Sequence, residues 1–148
     1  MSTNMQATTP SYTRASNPQY EATLLLVGRI LLALVFVLIG WGHLMNYSGA
    51  VAYFTKWEFP MPQGAAALAI LFELGGGALL VIGWKARWAA LALALYTLVA
   101  LAVAHRWWTY DAAQNFNQYS HFLKNLSIIG GMLCIAAMGP GRYSVDKA

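Results

Sequence analysis

The sequence predicts an all-α integral membrane protein, an up-down four-helix bundle with a short outer interfacial helix between its first and second spans. Two observations point to this fold class. Of the 148 residues, 59% are hydrophobic and only 9% are charged, whereas soluble domains carry about 25% charged residues. Charged residues are also absent from positions 30–55, 88–105 and 125–141. These blocks approach the roughly 20 helical residues that cross a bilayer.

Four apolar segments joined by short connections define the predicted spans. Residues 1–21 are rich in Ser, Thr, Asn, Gln and Pro and lack an apolar period, which predicts a flexible cytoplasmic tail. Short connections favour antiparallel neighbours in one bundle. We therefore expect one membrane domain over residues 22–142 and a short cytoplasmic C-terminal tail over 143–148. The spans are predicted at about 22–44, 63–84, 87–107 and 119–138.

The connection after the first span carries the pattern of a short interfacial helix. Val51, Phe54 and Trp57 recur at near-helical spacing, and Pro60 and Pro62 then stop the helix. Such a helix lies on the outer leaflet with its apolar face toward the lipid. We interpret its aromatic residues as an interfacial belt rather than as ligand-stacking groups.

Basic residues in the flanks predict the orientation, because Lys and Arg favour the cytoplasmic side of short loops. Two of them, Lys56 and Arg106, lie on the side opposite the termini. Both termini are therefore expected in the cytoplasm. The net charge of +4 is then a topology signal, and we expect no nucleic-acid partner. The five basic residues on the side of the termini are Arg14, Lys85, Arg87, Arg142 and Lys147.

Charged residues inside the spans are the candidate functional groups. Glu73 lies near the middle of the second span, where an unpaired carboxylate costs several kcal/mol. Helix rise places Arg29 within about 6 Å of its depth, so we predict a Glu73–Arg29 pair with Lys124 as the secondary partner. Asn125 occupies the next face of the fourth span. The cluster is either an ion-pair network that fixes packing or a proton relay and ligand site.

Histidine and cysteine give weaker signals. His43, His105 and His121 lie at predicted span ends near the outer interface, whereas haem ligation between spans needs imidazoles that face one another inside the bilayer. We therefore predict neither a metal site nor haem. The single Cys134 excludes an intramolecular disulfide and a dithiol redox pair, and its apolar surroundings predict a small buried hydrophobe.

Five segments of the sequence, in a characteristic order and spacing, form a recognisable pattern: Arg29–Ala33, Gly40–His43, Phe72–Gly77, Phe122–Leu126 and Gly139–Asp146. They resemble the DoxX family of small four-span bacterial and archaeal membrane proteins, which implies the cytoplasmic (inner) membrane of a bacterium. The similarity covers about residues 25–146, and its most specific part is the closing Gly-Pro-Gly-x-Tyr-Ser-x-Asp. Where many relatives have a lysine near the end of the first span, this chain has His43.

The resemblance implies a redox context. The family is named from a membrane subunit associated with thiosulfate:quinone oxidoreductase and terminal quinol oxidase, and a mycobacterial relative is linked to a complex for thiol oxidative stress. We therefore expect a subunit of a quinone-linked oxidoreductase or redox-stress complex, with a membrane-associated redox partner, no covalently bound cofactor and quinone as the candidate ligand. No catalytic residue is assigned. The candidate ligand-binding or proton-relay residues are Arg29, Glu73, Lys124, Asn125 and His43, with Trp41, Phe72 and Tyr96 as apolar walls.

The same charges also fit a different class of protein. In a non-enzymatic membrane carrier or assembly factor, they would only hold the helices together. A homo-oligomer is compatible with either function. Fold-level analogy does not decide between them.

Overall fold

A computed structural model describes residues 18–146 as an all-helical chain. Among these residues, four helices are long and apolar enough to cross a membrane, which confirms the predicted fold class. The tail predicted before residue 18, and residues 147–148, lie outside the described residues. The four candidate spans are Pro18–Met45, Pro62–Ile82, Ala86–Thr109 and Ala112–Met138.

The helices begin and end at recognisable signals. Helix α1 (Pro18–Met45) begins four residues before its predicted start, and α2 (Tyr47–Lys56) is the predicted short helix between the first two spans. The side chain of Asn46 caps α2 by accepting a hydrogen bond from the Gly49 amide at 3.1 Å. Pro62 occupies the first turn of the next helix, as proline favours.

The second span is one continuous helix in three parts. Helix α3 (Pro62–Ile70) leads into a π-helical turn (Leu71–Gly76), and α4 (Gly77–Ile82) completes the span. Gly83 then ends it with a left-handed φ of 74°, a conformation that glycine adopts without steric cost.

The last two spans are α5 (Ala86–Ala104) and α6 (Ala112–Met138), separated by a single 3-10 turn (Trp107–Thr109). Asp111 caps α6 by accepting a hydrogen bond from the Gln114 amide at 3.1 Å. This cap starts α6 seven residues before the predicted position of 119, because the polar stretch after Asp111 forms the first turns of the helix rather than a loop.

The four spans form a closed ring in cross-section. Helix α1 packs on the second span and on α6, and α5 packs on the same two elements. No Cα atom of α1 lies within 8 Å of α5, nor does any of the second span lie within 8 Å of α6. The second span and α6 therefore occupy opposite corners of the bundle, and so do α1 and α5.

The two ends of the bundle differ in packing. We call the end where α6 terminates the proximal end and the end that carries α2 the distal end. The proximal half contains the hydrophobic core, which is rich in alanine and lets helix backbones approach closely. The buried residues of this core are Ala33, Phe36, Leu80, Ala86, Ala89, Ala90, Leu93, Ala94, Met132 and Ile135.

The C-terminal segment folds back onto the proximal end rather than extending away as a tail. Gly139 redirects the chain after α6 with a φ of 89°. The Asp146 amide then donates to the Gly83 carbonyl at 2.9 Å, and its carboxylate accepts from the Ala86 amide at 3.1 Å. Asp146 thus fixes residues 143–146 to the start of α5.

Candidate functional site

The distal half of the bundle contains a cavity of about 720 Å³ that is open on part of its surface. All four spans contribute to its walls, and aromatic residues of α2 and the following turn line it at the distal end. An apolar cavity of this size with a few polar groups is typical of a small-molecule site. The polar side chains that line it are His43, Tyr53, Trp57, Glu73, Tyr96, Thr97, His105 and Asn125.

Glu73 is the acidic residue in the wall of this cavity. Its side chain is 4% exposed, yet both carboxylate oxygens have partners. Nδ1 of His43 lies 2.8 Å from Oε2, and the Tyr96 hydroxyl donates to Oε1 at 2.6 Å. One partner comes from α1 and the other from α5, so both helices bind the glutamate of the second span. Such hydrogen bonds stabilise a buried carboxylate.

Close helix packing positions Glu73. A Cβ atom on Gly40 would lie 2.7 Å from the Glu73 Cβ, so only glycine lets α1 pass the glutamate at this distance. The π-helical turn carries Glu73, and such turns are frequent at functional sites. Gly76 and Gly77 pack against other helices, since added Cβ atoms would lie 2.9 Å from Leu93 and 2.7 Å from Val37.

Arg29 does not meet Glu73, and the predicted pairing of these residues is wrong. The guanidinium is 2% exposed and donates to the carbonyls of Pro140 and Tyr143, each at 2.6 Å. The returning C-terminal segment brings these acceptors to the proximal end, where they accept from the two terminal nitrogens of the guanidinium, while its buried Nε has no hydrogen-bond partner among the described residues. Arg29 therefore fastens the C-terminal segment and lies outside the cavity.

Three further sequence expectations differ from the structure. Lys124 is exposed on α6 and does not line the cavity, so it is no second partner for Glu73. Trp41 is 57% exposed and forms no part of the wall. Cys134 is exposed rather than buried, because the apolar face of α6 that carries it points away from the bundle. An apolar neighbourhood in a membrane helix fits lipid contact as well as core packing.

The other candidate residues do reach the cavity. His43 and Asn125 both line it, as do Phe72 and Tyr96, whose rings stack with centroids 5.9 Å apart. His105 also lines it. Among residues 18–146, no group of three or more His, Cys, Asp and Glu is arranged to hold a metal ion.

Sequence reasoning missed two features of the site. Tyr96 was expected as an apolar wall, but its hydroxyl is a partner of Glu73. The aromatic residues Tyr53, Phe54 and Trp57, expected as an interfacial belt, line the cavity instead. The available signal for the first feature was a glutamate and a tyrosine on neighbouring spans. A buried tyrosine hydroxyl requires a hydrogen-bond partner, and Glu73 offered one.

Comparison with known proteins places this architecture in a family. The sequence model of the DoxX family matches residues 24–106. The chain is 34% identical over 124 residues to inner membrane protein YphA of Escherichia coli strain K12, which covers 84% of this chain and 89% of YphA. The chain belongs to the DoxX family. Inner membrane protein YqjF of the same organism is 37% identical over 122 residues, 82% of this DoxX chain and 88% of YqjF.

More distant similarity extends to eukaryotes. The Surfeit locus protein 4 homolog of Drosophila melanogaster is 30% identical over 125 residues, which cover 82% of this DoxX protein but only 39% of the fly protein. No solved structure matches the chain. The relatives thus identify a family of membrane proteins.

Proposed function

We propose that this DoxX protein binds a quinone in the distal cavity, as a membrane subunit of a quinone-linked oxidoreductase or redox-stress complex. The observation that carries the proposal is the Glu73 carboxylate, which is buried in a spanning helix, accepts from Tyr96, pairs with His43 and faces an apolar cavity. Ionisable residues within membrane spans mark ligand sites and proton relays.

The cavity residues fit such a ligand. A volume of about 720 Å³ falls within the range of about 300–1,000 Å³ that is usual for small-molecule pockets. The stacked rings of Phe72 and Tyr96 offer an apolar surface to a flat ring. Nε2 of His43 has no hydrogen-bond partner among the described residues, so it is available to an oxygen atom of the ligand.

The same residues suit proton exchange with a quinone. A bound quinone supplies the redox chemistry by taking up two electrons and two protons to become a quinol. His43 and Glu73 share a short hydrogen bond, so this pair can hold a proton inside the cavity and pass it to a ligand oxygen. Tyr96 donates to the other carboxylate oxygen and fixes its orientation.

The proposal requires electrons from outside the chain. We infer a membrane or membrane-associated redox partner that delivers or receives them, because the cavity residues carry protons rather than electrons. We assign the protein to the bacterial cytoplasmic membrane with both termini in the cytoplasm. The inner-membrane relatives in Escherichia coli support this membrane.

Solvent extraction of the purified protein tests the proposal. Protein isolated in mild detergent should carry quinone, recognisable by its redox-dependent ultraviolet spectrum, and should bind short-chain quinone saturably. Glu73→Gln should weaken this binding about tenfold, since it removes a charged partner from the site. Glu58→Gln, which changes an exposed acid after α2, is the matched control. Protein without quinone and without saturable binding would contradict the proposal.

A second candidate function has its own support. Both oxygens of Glu73 already have partners within the protein, as a purely structural network requires. The chain would then be a non-enzymatic membrane carrier or assembly factor. In that case Glu73→Gln lowers thermal stability, while the protein binds no quinone before or after the substitution.

A further inference from the structure

Asn125 is a polar residue of the cavity that lies outside the Glu73 network, as do Tyr53, Trp57, Thr97 and His105. It lies on α6, within a candidate membrane span, and its side chain lines the cavity. No hydrogen bond joins it to any other described residue, although Asn115 on the same helix donates to the Trp107 carbonyl at 3.0 Å. An amide that faces an apolar cavity without a partner is costly, and a ligand would remove that cost.

Asn125 and Glu73 lie on opposite walls. Glu73 belongs to the second span and Asn125 to α6, the two elements at opposite corners of the ring. Both side chains line the same cavity. Neighbouring helix axes lie about 8–10 Å apart, so diagonal axes are separated by roughly 13 Å. A ring bound in the cavity therefore has one residue on each side of it.

The two residues also lie at nearly the same depth. Glu73 is level with Gly40 of α1, since a Cβ atom added to Gly40 would lie 2.7 Å from the Glu73 Cβ. Gly131 of α6 is level with Leu32 of α1, since a Cβ atom added to Gly131 would lie 3.0 Å from the Leu32 side chain. Gly40 is about 12 Å above Leu32 along α1, and Asn125 is about 9 Å above Gly131 along α6. The depths of Glu73 and Asn125 thus differ by about 3 Å.

We propose that Asn125 is a specificity-determining residue that binds a second oxygen atom of the ligand, directly opposite the oxygen that meets the His43–Glu73 pair. The ligand class is then a ring with two opposed oxygen atoms, as in a 1,4-quinone, rather than a ring with one. This inference rests on the proposed quinone function and specifies how the cavity selects its ligand. The Asn125 amide donates from α6, while His43 of α1, whose imidazole is hydrogen-bonded to Glu73, contacts the other ligand oxygen.

Two probes of similar size test this selection. Menadione carries two opposed carbonyl groups, and 1-tetralone carries one on a similar bicyclic skeleton. Binding is measured by calorimetry with the full-length protein in lipid nanodiscs. The wild-type protein should prefer menadione about tenfold, and Asn125→Leu should remove that preference by weakening menadione binding about tenfold while 1-tetralone binding changes less than about twofold.

Controls separate ligand binding from folding. Asn117→Leu alters an exposed asparagine of the same helix and should leave both affinities unchanged. Asn125→Leu should not lower the melting temperature of the ligand-free protein, because it removes an amide that has no partner. If Asn125→Leu does not accumulate, Asn125→Ser, whose side chain is too short to span the gap, should give the same loss of menadione affinity.

Each unfavourable result identifies what has failed. Equal menadione affinity in the wild type and in Asn125→Leu overturns the role of Asn125 and leaves the quinone function standing. A lower melting temperature shared by ligand-free Asn125→Leu and Asn125→Ser also overturns it, since the amide would then serve packing. Absence of menadione binding to the wild type overturns the quinone function and this inference together.

Discussion

Nδ1 of His43 lies 2.8 Å from Oε2 of Glu73, although the two residues are separated by thirty positions and belong to different spans. The contact joins the distal part of α1 to the π-helical turn of the second span. Gly40, one helical turn before His43, lets the two helices approach closely enough for it to form. Among residues 18–146, this hydrogen-bonded contact of Glu73 stands in place of the predicted Arg29–Glu73 pair.

The first prediction is that His43 and Glu73 are energetically coupled. Glu73→Gln and His43→Gln should each lower the thermal stability of the detergent-solubilised protein, because each leaves a buried polar partner unsatisfied. The double variant should lose less than the sum of the two losses, with a coupling energy of about 1–3 kcal/mol. A double-mutant cycle from thermal unfolding measures it.

The same cycle with Arg29 is the control. Arg29→Lys and Glu73→Gln should be additive within about 0.5 kcal/mol, since the residues share no partner. Additivity in the His43 cycle, or strong coupling in the Arg29 cycle, would refute the assignment of partners.

The second prediction concerns the C-terminal segment, which Arg29 fastens by donating to the carbonyls of Pro140 and Tyr143. Arg29→Lys keeps the charge but loses the planar fork of donors, and we expect a loss of about 2 kcal/mol in the free energy of unfolding. Limited proteolysis should also cleave the segment after Gly139 faster. Arg142→Lys, an exposed residue of the same segment, should change neither measurement; an equal effect of both variants would disprove the fastening role.

The third prediction compares two helical glycines. A Cβ atom on Gly77 would lie 2.7 Å from Val37 Cγ2, whereas one on Gly130 would have no neighbour within 4 Å. Gly77→Ala should therefore lower stability by about 1–3 kcal/mol through overpacking, and Gly130→Ala should raise it by up to about 1 kcal/mol through helix propensity. Equal melting temperatures of the two variants would be inconsistent with this packing.

The sequence was sufficient to predict elements that depend on local signals. The four spans followed from long uncharged segments, and α2 from aromatic spacing bounded by Pro60 and Pro62. Burial of Glu73 inside the bundle followed from the cost of a lipid-exposed carboxylate. Each of these properties is determined within one segment, without knowledge of its neighbours.

The partners of Glu73 depended on how the helices are offset along the bundle axis, which the sequence does not reveal. Counting residues from span ends assumed that α1 begins at the plane where the antiparallel second span ends. In the structure Arg29 is level with Val81, whose carbonyl it contacts, and Val81 is about 12 Å along the helix from Glu73. Helix α1 extends past the turn that joins the second span to α5. This offset shifts the polar residues of α1 relative to the second span, so that His43 meets Glu73.

The fourth prediction concerns the turn that follows α2 at the distal end of the cavity. Glu58 adopts a left-handed φ of 55°, which costs a residue with a side chain about 1–2 kcal/mol. Glu58→Gly should raise the free energy of unfolding by about 1 kcal/mol. Thr55→Gly, inside α2, should instead lower it by about 1 kcal/mol. A destabilised Glu58→Gly protein would mean that the Glu58 side chain makes a contact worth more than the strain.

The last prediction is the orientation of the bundle in the membrane. Lys85, Arg87 and Arg142 lie at or beside the proximal end, whereas Lys56 and Arg106 lie at the distal end. Because basic residues in short connections favour the cytoplasm, the proximal end should face the cytoplasm and the cavity should lie toward the outer leaflet. A C-terminal green fluorescent protein fusion should then fluoresce, and alkaline phosphatase inserted after Lys56 should be active.

Replacing Lys85 and Arg87 with Gln weakens the bias of basic residues toward the cytoplasm and should increase the fraction of inverted molecules. An active C-terminal phosphatase fusion in the wild type would contradict this orientation. The cavity would then lie toward the cytoplasm, and protons exchanged by the His43–Glu73 pair would come from the cytoplasmic side.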